Sequence, residues 1–402
     1  MQQHSRSEVG PGPGAATRLR VATLNVWALP EPLAKDVEAR LAAIGSRLRE
    51  LDLDLVGFQE AWTPDAREQL LRAGLEAGLP HAWEPDSRFA SSGLLVLSRL
   101  PIQSARFEPF VIRPLPQHPR HIDFLGGKGF VHLRIETDAG PLSVVNTHLQ
   151  ACYRRDVPHG YRSHRTGQIV QLATRMREWR EPVLVLGDFN CEAGDPEHQV
   201  LLGLTGLRDS GQELRDAAPT VWPGNAYRRS RNTGKRVDFV LARHGVATGL
   251  EPVAIQRAMD ELLWLGDREY SYSNHAAVAA ALELVPGRSG AAPGARPEAV
   301  ALAAGLLDQG RRDAMLRREQ NRLFAGAGLA TAMLVGFGSA DPLLSRRRLL
   351  RRALSGAALA SLPPGLALGM FNEVYVPEEI EAFDELARGL DRFSRTVDES
   401  IA

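Results

Sequence analysis

Eight short apolar runs between Arg18 and Val285 constrain the fold more than any other feature of this 402-residue chain. They are LRVATLNVW, LDLVGFQE, GLLVLS, GFVHLRIE, LSVVNTHL, PVLVLGDFN, RVDFVLA and HAAVAAAL. Their length and β-branched content predict buried strands. Helical patterns lie between them. Leu41, Ile44, Leu48 and Leu51 recur at helical spacing and predict a helix over Ala39–Leu51. Two more are predicted over Asp65–Ala77, where Asp65 suits the helix dipole, and over Arg162–Arg180. Hairpin-like strand pairs mixed with helices predict an α/β or α+β sandwich rather than a purely parallel sheet.

Six of these stretches carry polar residues of one chemical kind at or beside a strand end. These are Asn25, Glu60, Asn146 with His148, Asp188 with Asn190, Asp238, and Asn274 with His275. One polar strand end is an ordinary turn. Six that carry only Asn, Asp, Glu or His predict a sheet rim on which side chains converge. Phosphodiester hydrolysis with a hard divalent cation needs such a set. Mg²⁺ takes oxygen ligands and keeps several waters, so one or two carboxyl or amide side chains suffice. The attacking water needs a general base, usually His, and that His needs an orienting carboxylate. Asn and His supply donors to the developing charge.

Composition removes several alternatives. The formal net charge is zero, which argues against a strong global field for nucleic acid. Cys152 and Cys191 are the two cysteines, too few for a disulfide framework or a zinc cluster. Residues 1–17 lack a basic-then-apolar pattern and are expected to form a disordered tail, not a secretory signal peptide. A cytoplasmic or membrane-associated location is therefore expected.

The motifs TLNVW, GFQE, NTHL, GDFN, RVDFV and SNHAAV, in this order over about residues 18–285, resemble the endonuclease/exonuclease/phosphatase superfamily. The resemblance implies a four-layer sandwich of two β-sheets flanked by helices, and Mg²⁺ as cofactor with Mn²⁺ as the alternative. It implies that Glu60 is the main metal ligand, with Asn25 beside it. His148 and Asn190 would hold phosphate oxygens. Asp188 would orient the water or protonate the leaving oxygen, and Asp238 would orient His275, the general base. The family usually has Asp-His in its last motif, where this chain has Asn274-His275. Asn274 therefore puts metal affinity or rate in question, while the base is kept.

A second layer of resemblance is more specific. SGLLVLSRLPI, NTHLQACY and HRTGQIVQL are similar to neutral sphingomyelinases, as is DFLGGKGFVHL with Asp123 and Lys128. Lys occurs only at positions 35, 128 and 235, so a Lys beside a motif stands out. In sphingomyelinases an Asp and a Lys at this spacing pair near the metal site. Asp123, Lys128 and Asn146 are thus expected on the substrate or switching side. The resemblance implies a phospholipid phosphodiesterase of phospholipase C type. A DNA-directed endonuclease or exonuclease, an inositol phosphate phosphatase and a non-catalytic membrane adaptor are the competing readings.

Beyond a linker over residues 286–298, residues 299–402 are expected to form a helical C-terminal region. A helix is predicted over Glu298–Leu323. Apolar runs occupy residues 323–340 and 353–371, with the Arg-rich stretch DPLLSRRRLLRR between them. An amphipathic helix closes the chain, with Ile380, Phe383, Leu386, Leu390 and Phe393 on one face. Some neutral sphingomyelinases carry paired transmembrane segments here. Each run is near the lower length limit for spanning, and the second holds Pro363-Pro364. Contact with a membrane surface is expected ahead of true spanning.

Overall fold

A computed structural model describes residues 16–86, 92–113, 127–152, 160–227, 234–288, 290, 294–340, 352, 366, 369–370 and 372–393. Thr17–Ala28 (β1) crosses over through helix Val37–Leu51 (α1) to Leu55–Ala61 (β2), which lies parallel to β1. Helix Pro64–Glu76 (α2) follows. Thr63 caps it by accepting the Ala66 N–H at 3.2 Å, and Pro64 stands in the first turn. His81–Trp83 (β3) and Leu95–Ser98 (β4) extend the sheet antiparallel from β2.

A second unit has the same plan. Ile102–Pro109 (β5), Gly129–Thr137 (β6) and Gly140–His148 (β7) form a meander. Helix Arg162–Met176 (α3) then carries the chain to Val183–Asp188 (β8), parallel to β7. Helix Pro196–Thr205 (α4), Arg208–Asp209 (β9) and the short helix Ser210–Glu213 (α5) lead to Asp238–Arg243 (β10), antiparallel to β8. Thr248–Ala258 (β11), the hairpin Leu263–Leu265 (β12) and Arg268–Tyr270 (β13), and Ala277–Pro286 (β14) return to the first sheet. The sheet orders are β11-β14-β1-β2-β4-β3 and β5-β6-β7-β8-β10-β9.

The two sheets pack face to face through Val21, Leu55, Val96 and Leu282 on one side and Val131, Leu133, Leu184 and Val240 on the other. On the outer face of the first sheet, Leu24 and Phe58 pack against Leu41, Ile44 and Leu70 of α1 and α2. On the outer face of the second, Val145, Val185 and Phe239 meet Ile169 and Val200 of α3 and α4. The central strands are buried on both faces, so they read as unbroken apolar runs. This is the expected four-layer sandwich.

The strands that the pattern does not predict are β3, β5, β9, β11, β12 and β13. β3, β5, β9 and β11 lie at sheet edges, and β5 is largely exposed. An edge strand has less apolar surface to bury, and its signal fades accordingly. The predicted helices start or end within a few residues of α1 and α2, while α3 stops at Met176, short of Arg180.

The C-terminal helix Pro297–Ala340 (α6) runs well past the expected Leu323. Its first half and helical residues 372–393 lie on α3 and α4, where Leu307, Phe383 and Leu386 join the core. A Cβ on Gly167 would sit 2.7 Å from Leu386, and one on Gly203 would sit 2.2 Å from Ala299, so these glycines permit the close approach. Buried Glu379 pairs with Arg317 at 2.7 Å and with His164 of α3 at 3.1 Å. Further along α6, Leu323, Phe324 and Met333 are exposed. Most of the apolar run 353–371 lies outside the described residues. No helix among the described residues is long and apolar enough to cross a membrane.

Candidate active site

The parallel order of β1 with β2 and of β7 with β8 brings four strand C-termini to one edge of the sandwich. β10 runs the other way, so its first residue, Asp238, stands opposite the last residue of β8, Asp188. His275 lies just before β14 starts and reaches the same rim.

Asn25 links the two halves. Its Nδ2 donates to Glu60 Oε1 at 2.8 Å and to Asp188 Oδ2 at 2.9 Å. Its Oδ1 accepts the Trp27 N–H at 3.0 Å. The amide thus turns its nitrogen to the carboxylates, and here Asn25 orients Glu60 rather than offering a free oxygen. Glu60 has φ 59 and Trp27 φ 48, a region that side-chain-bearing residues rarely occupy. Such strain costs on the order of 1–3 kcal/mol per residue and concentrates at functional sites.

Asp188 accepts the Asn190 N–H on Oδ1 at 2.9 Å, which closes the GDFN turn. Gly187 is required because a Cβ there would lie 2.2 Å from the Thr147 carbonyl of β7. Asn190 Nδ2 donates to the Leu149 carbonyl at 3.0 Å. Burial, then the Asp238 carboxylate, pushes the Asp188 carboxyl up to about 7, against His275, Asn25 and Lys128.

His275 Nδ1 lies 2.8 Å from Asp238 Oδ2, and its Nε2 lies 4.0 Å from Asp188 Oδ2. Burial works against its charged form. Asp238 by charge and hydrogen bond, then Asp188 and Glu60, outweigh that and raise it to about 9. Asp188, Asp238 and His275 bring one potential ligand atom each within 4.8 Å of one another. The buried Asp238 Oδ1 has no hydrogen-bond partner among the described residues. Crowded buried oxygen donors with one orphaned atom fit a hard divalent cation.

His148 faces Asp188 Oδ2 at 3.4 Å. Lys128 Nζ lies 2.9 Å from His148 Nε2 and donates to the Leu149 carbonyl at 2.7 Å. Burial, then Lys128 and His275, hold His148 well below its ordinary value, so it stays neutral. With Lys128 donating to Nε2, the proton of neutral His148 sits on Nδ1, a buried atom with no partner among the described residues. Lys128 therefore belongs to the rim, while Asp123 lies outside the described residues.

Asn146 does not join this cluster. Its Oδ1 accepts from Gln59 Nε2 at 2.7 Å, and its Nδ2 donates to the Phe58 and Leu95 carbonyls at 3.0 and 3.2 Å. It crosses the layer between the sheets and has no atom left for a substrate. Position along β7 is the reason: alternation points Asn146 and His148 to one face, but only His148, at the strand end opposite Asp188, reaches the rim. Asn274 is partly buried and accepts weakly from Ser273 Oγ at 3.2 Å. Ser273 opens the SNHAAV motif, and the structure gives it a role that the motif alone does not assign. It donates to the Asn25 carbonyl at 2.6 Å and accepts the His275 N–H at 3.3 Å.

Comparison with known proteins agrees with this geometry. A putative neutral sphingomyelinase of Drosophila melanogaster is 29% identical over 66% of this chain and 61% of its own length. Sphingomyelin phosphodiesterase 2 of Homo sapiens is 30% identical over 57% of this chain and 56% of its own. The chain thus spans about three fifths of the length of these relatives. A Staphylococcus aureus beta toxin variant with bound magnesium ions shares the fold, with a TM-score of 0.52 at 20% identity, over 66% of this chain and 99% of the toxin. The model of the Endonuclease/Exonuclease/phosphatase family matches residues 22–257, more than half of the chain. With this match and a rim built from Asn25, Glu60, Asp188, Asp238 and His275, the chain belongs to the endonuclease/exonuclease/phosphatase family.

Proposed function

We propose that this protein is a divalent-metal-dependent phosphodiesterase that cleaves sphingophospholipids in the manner of a phospholipase C. The carrying observation is His275 held between Asp238 at 2.8 Å and Asp188 at 4.0 Å. Asp238 fixes the imidazole through Nδ1 and leaves Nε2 facing the space beside Asp188. In its neutral form, which the charge of a bound cation would favour, His275 takes a proton from water there, and the water oxygen attacks phosphorus. The bond from phosphorus to the lipid oxygen breaks. Asp188 orients the water or returns a proton to that leaving oxygen. Asn190 and Lys128 supply donors for phosphate oxygens, and neutral His148 would join them as its Nε2–H tautomer once Lys128 withdraws.

Glu60, oriented by Asn25, would hold the cation. Mg²⁺ is the expected ion, with Mn²⁺ as the alternative. When bound, it supplies charge stabilisation at the phosphoryl oxygens.

Two observations support a lipid surface as partner. The β12–β13 hairpin, whose last strand ends four residues before Asn274, exposes Trp264 at 65% together with Leu265. The distal half of α6 exposes Leu323, Phe324 and Met333. Exposed apolar patches mark interaction surfaces. A membrane-associated location is part of this reading.

The test is a panel with purified full-length protein: sphingomyelin, phosphatidylcholine, duplex DNA and inositol phosphates, each with Mg²⁺, with Mn²⁺ and with excess EDTA. Cleavage of sphingomyelin that collapses in EDTA and returns with Mg²⁺ is expected. Preferred cleavage of DNA would move the assignment to a nuclease. Full turnover in EDTA would overturn the metal assignment.

A further inference from the structure

Arg40 sits in α1, on a helix that the sequence presents as ordinary and amphipathic, yet its side chain is 0% exposed. A buried guanidinium normally pairs with a carboxylate, because an uncompensated buried charge is costly. No carboxylate among the described residues forms an ion pair with it. Its hydrogen bonds go instead to main-chain carbonyls: Val26 at 2.7 Å, Trp27 at 2.8 Å, Lys35 at 2.8 Å and Tyr272 at 3.3 Å. The guanidinium also lies over the rings of Trp27 and Tyr227, at 5.1 and 5.6 Å. Only the planar fork of Arg can hold four carbonyls in different directions at once.

The contacts with Trp27 and Tyr272 lead to the rim. Trp27, whose carbonyl Arg40 holds, keeps its left-handed φ of 48 and gives its N–H to Asn25 Oδ1. That bond turns Asn25 Nδ2 onto Glu60 and Asp188. Tyr272 precedes Ser273, which ties the Asn25 carbonyl to the His275 N–H. Arg40 therefore clamps the two chain segments that present Asn25 and His275.

We infer that Arg40 is a positioning residue for the reacting centre: its guanidinium sets Asn25 against Glu60 and Asp188, and His275 against Asp238. The inference rests on the reading that these residues form the reacting centre. Misplacing catalytic groups by about 1 Å can cost roughly 10²-fold in rate.

Arg243 provides a matched control. It is buried and donates to the carbonyls of Met176, Trp179 and Thr205 at 3.1, 3.0 and 3.4 Å. It stands at the far end of β10 from Asp238. Full-length Arg40→Met, Arg40→Lys and Arg243→Met are compared with wild type. Four quantities are read: thermal midpoint, kcat and KM on bis(4-nitrophenyl) phosphate, Mg²⁺ binding by calorimetry, and hydrogen exchange in peptides covering residues 22–28 and 270–276.

Arg40→Met and Arg243→Met should lower the thermal midpoint alike. Only Arg40→Met should lower kcat, by at least ~10-fold with little change in KM. It should also weaken Mg²⁺ binding and speed exchange in both peptides. Arg40→Lys keeps the charge without the fork and should show the same pattern at smaller size; it decides the question if Arg40→Met does not fold. The inference is overturned if the folded Arg40 variants keep kcat within twofold and exchange unchanged, or if Arg243→Met loses as much kcat. Wild-type protein inactive on every phosphodiester would overturn the proposed function instead. Exchange and Mg²⁺ binding would then still decide the role of Arg40.

Discussion

His275 Nδ1 stands 2.8 Å from Asp238 Oδ2, and both residues are buried at the point where β10 and the approach to β14 meet. The carboxylate sets the ring plane and leaves Nε2 as the working atom. His275→Ala and Asp238→Asn should each lower turnover by at least ~10²-fold, the usual weight of a general base or its orienter. The double variant should lose little beyond the worse single one, because the two act as a unit. Steady-state kinetics on the four proteins decides this, and independent multiplying losses would rule out a dyad.

Stability should depend on pH through the same residues. His275 is raised from 6.5 to about 9, and Asp188 from 3.8 to about 7. Both groups hold their proton more tightly in the folded chain than in the unfolded one. Their contribution is complete below the unfolded value and is lost as pH climbs through the folded one. For Asp188 the window runs from about 4 to 7, and for His275 from 6.5 to 9. From pH 7 to pH 9, above the range in which the lowered His148 pulls the other way, the metal-free protein should therefore melt at falling temperature. Mg²⁺ should flatten the slope by compensating the carboxylates. A thermal midpoint that rises over this range without metal would contradict the assignment.

Asn274 stands where the family usually has Asp, and among the described residues its side chain is held only by the 3.2 Å contact with Ser273. Asn274→Asp adds a partly exposed carboxylate beside the base. A partly exposed charge contact contributes about 1 kcal/mol, or roughly fivefold. The variant should reach half-maximal rate at correspondingly lower Mg²⁺. Slower turnover with no gain in Mg²⁺ affinity would mean that the amide is suited to this site.

The β12–β13 hairpin should matter on vesicles and not in micelles. Trp264 and Leu265 are exposed and far from any hydrogen-bond role in the dyad. Burying two large apolar side chains in an interface contributes about 1.5–3 kcal/mol each. Replacing both by Ser should weaken binding to phosphatidylserine-containing vesicles by at least ~10²-fold, while turnover of detergent-dispersed sphingomyelin stays near wild type. Vesicle flotation beside a micelle assay reads both, and unchanged flotation would remove the hairpin from the lipid contact.

The sequence by itself determined the central strands and the chemical identity of the rim. A strand buried on both faces must be apolar throughout, so β2, β7, β8 and β10 are legible as unbroken runs. The polar residues that interrupt such runs at their ends stand out against them, which is why Glu60, His148, Asp188, Asp238 and His275 could be named. Edge strands such as β5 and β11 bury less and left little pattern. Tertiary structure alone decided which strand-end residue reaches the site. Asn146 and His148 share motif and strand face, yet one residue pair along the strand separates the inter-sheet layer from the rim. The same holds for Arg40, Arg243 and Ser273. Their roles lie in carbonyls and amides from distant segments, and main-chain groups leave no mark in the order of side chains.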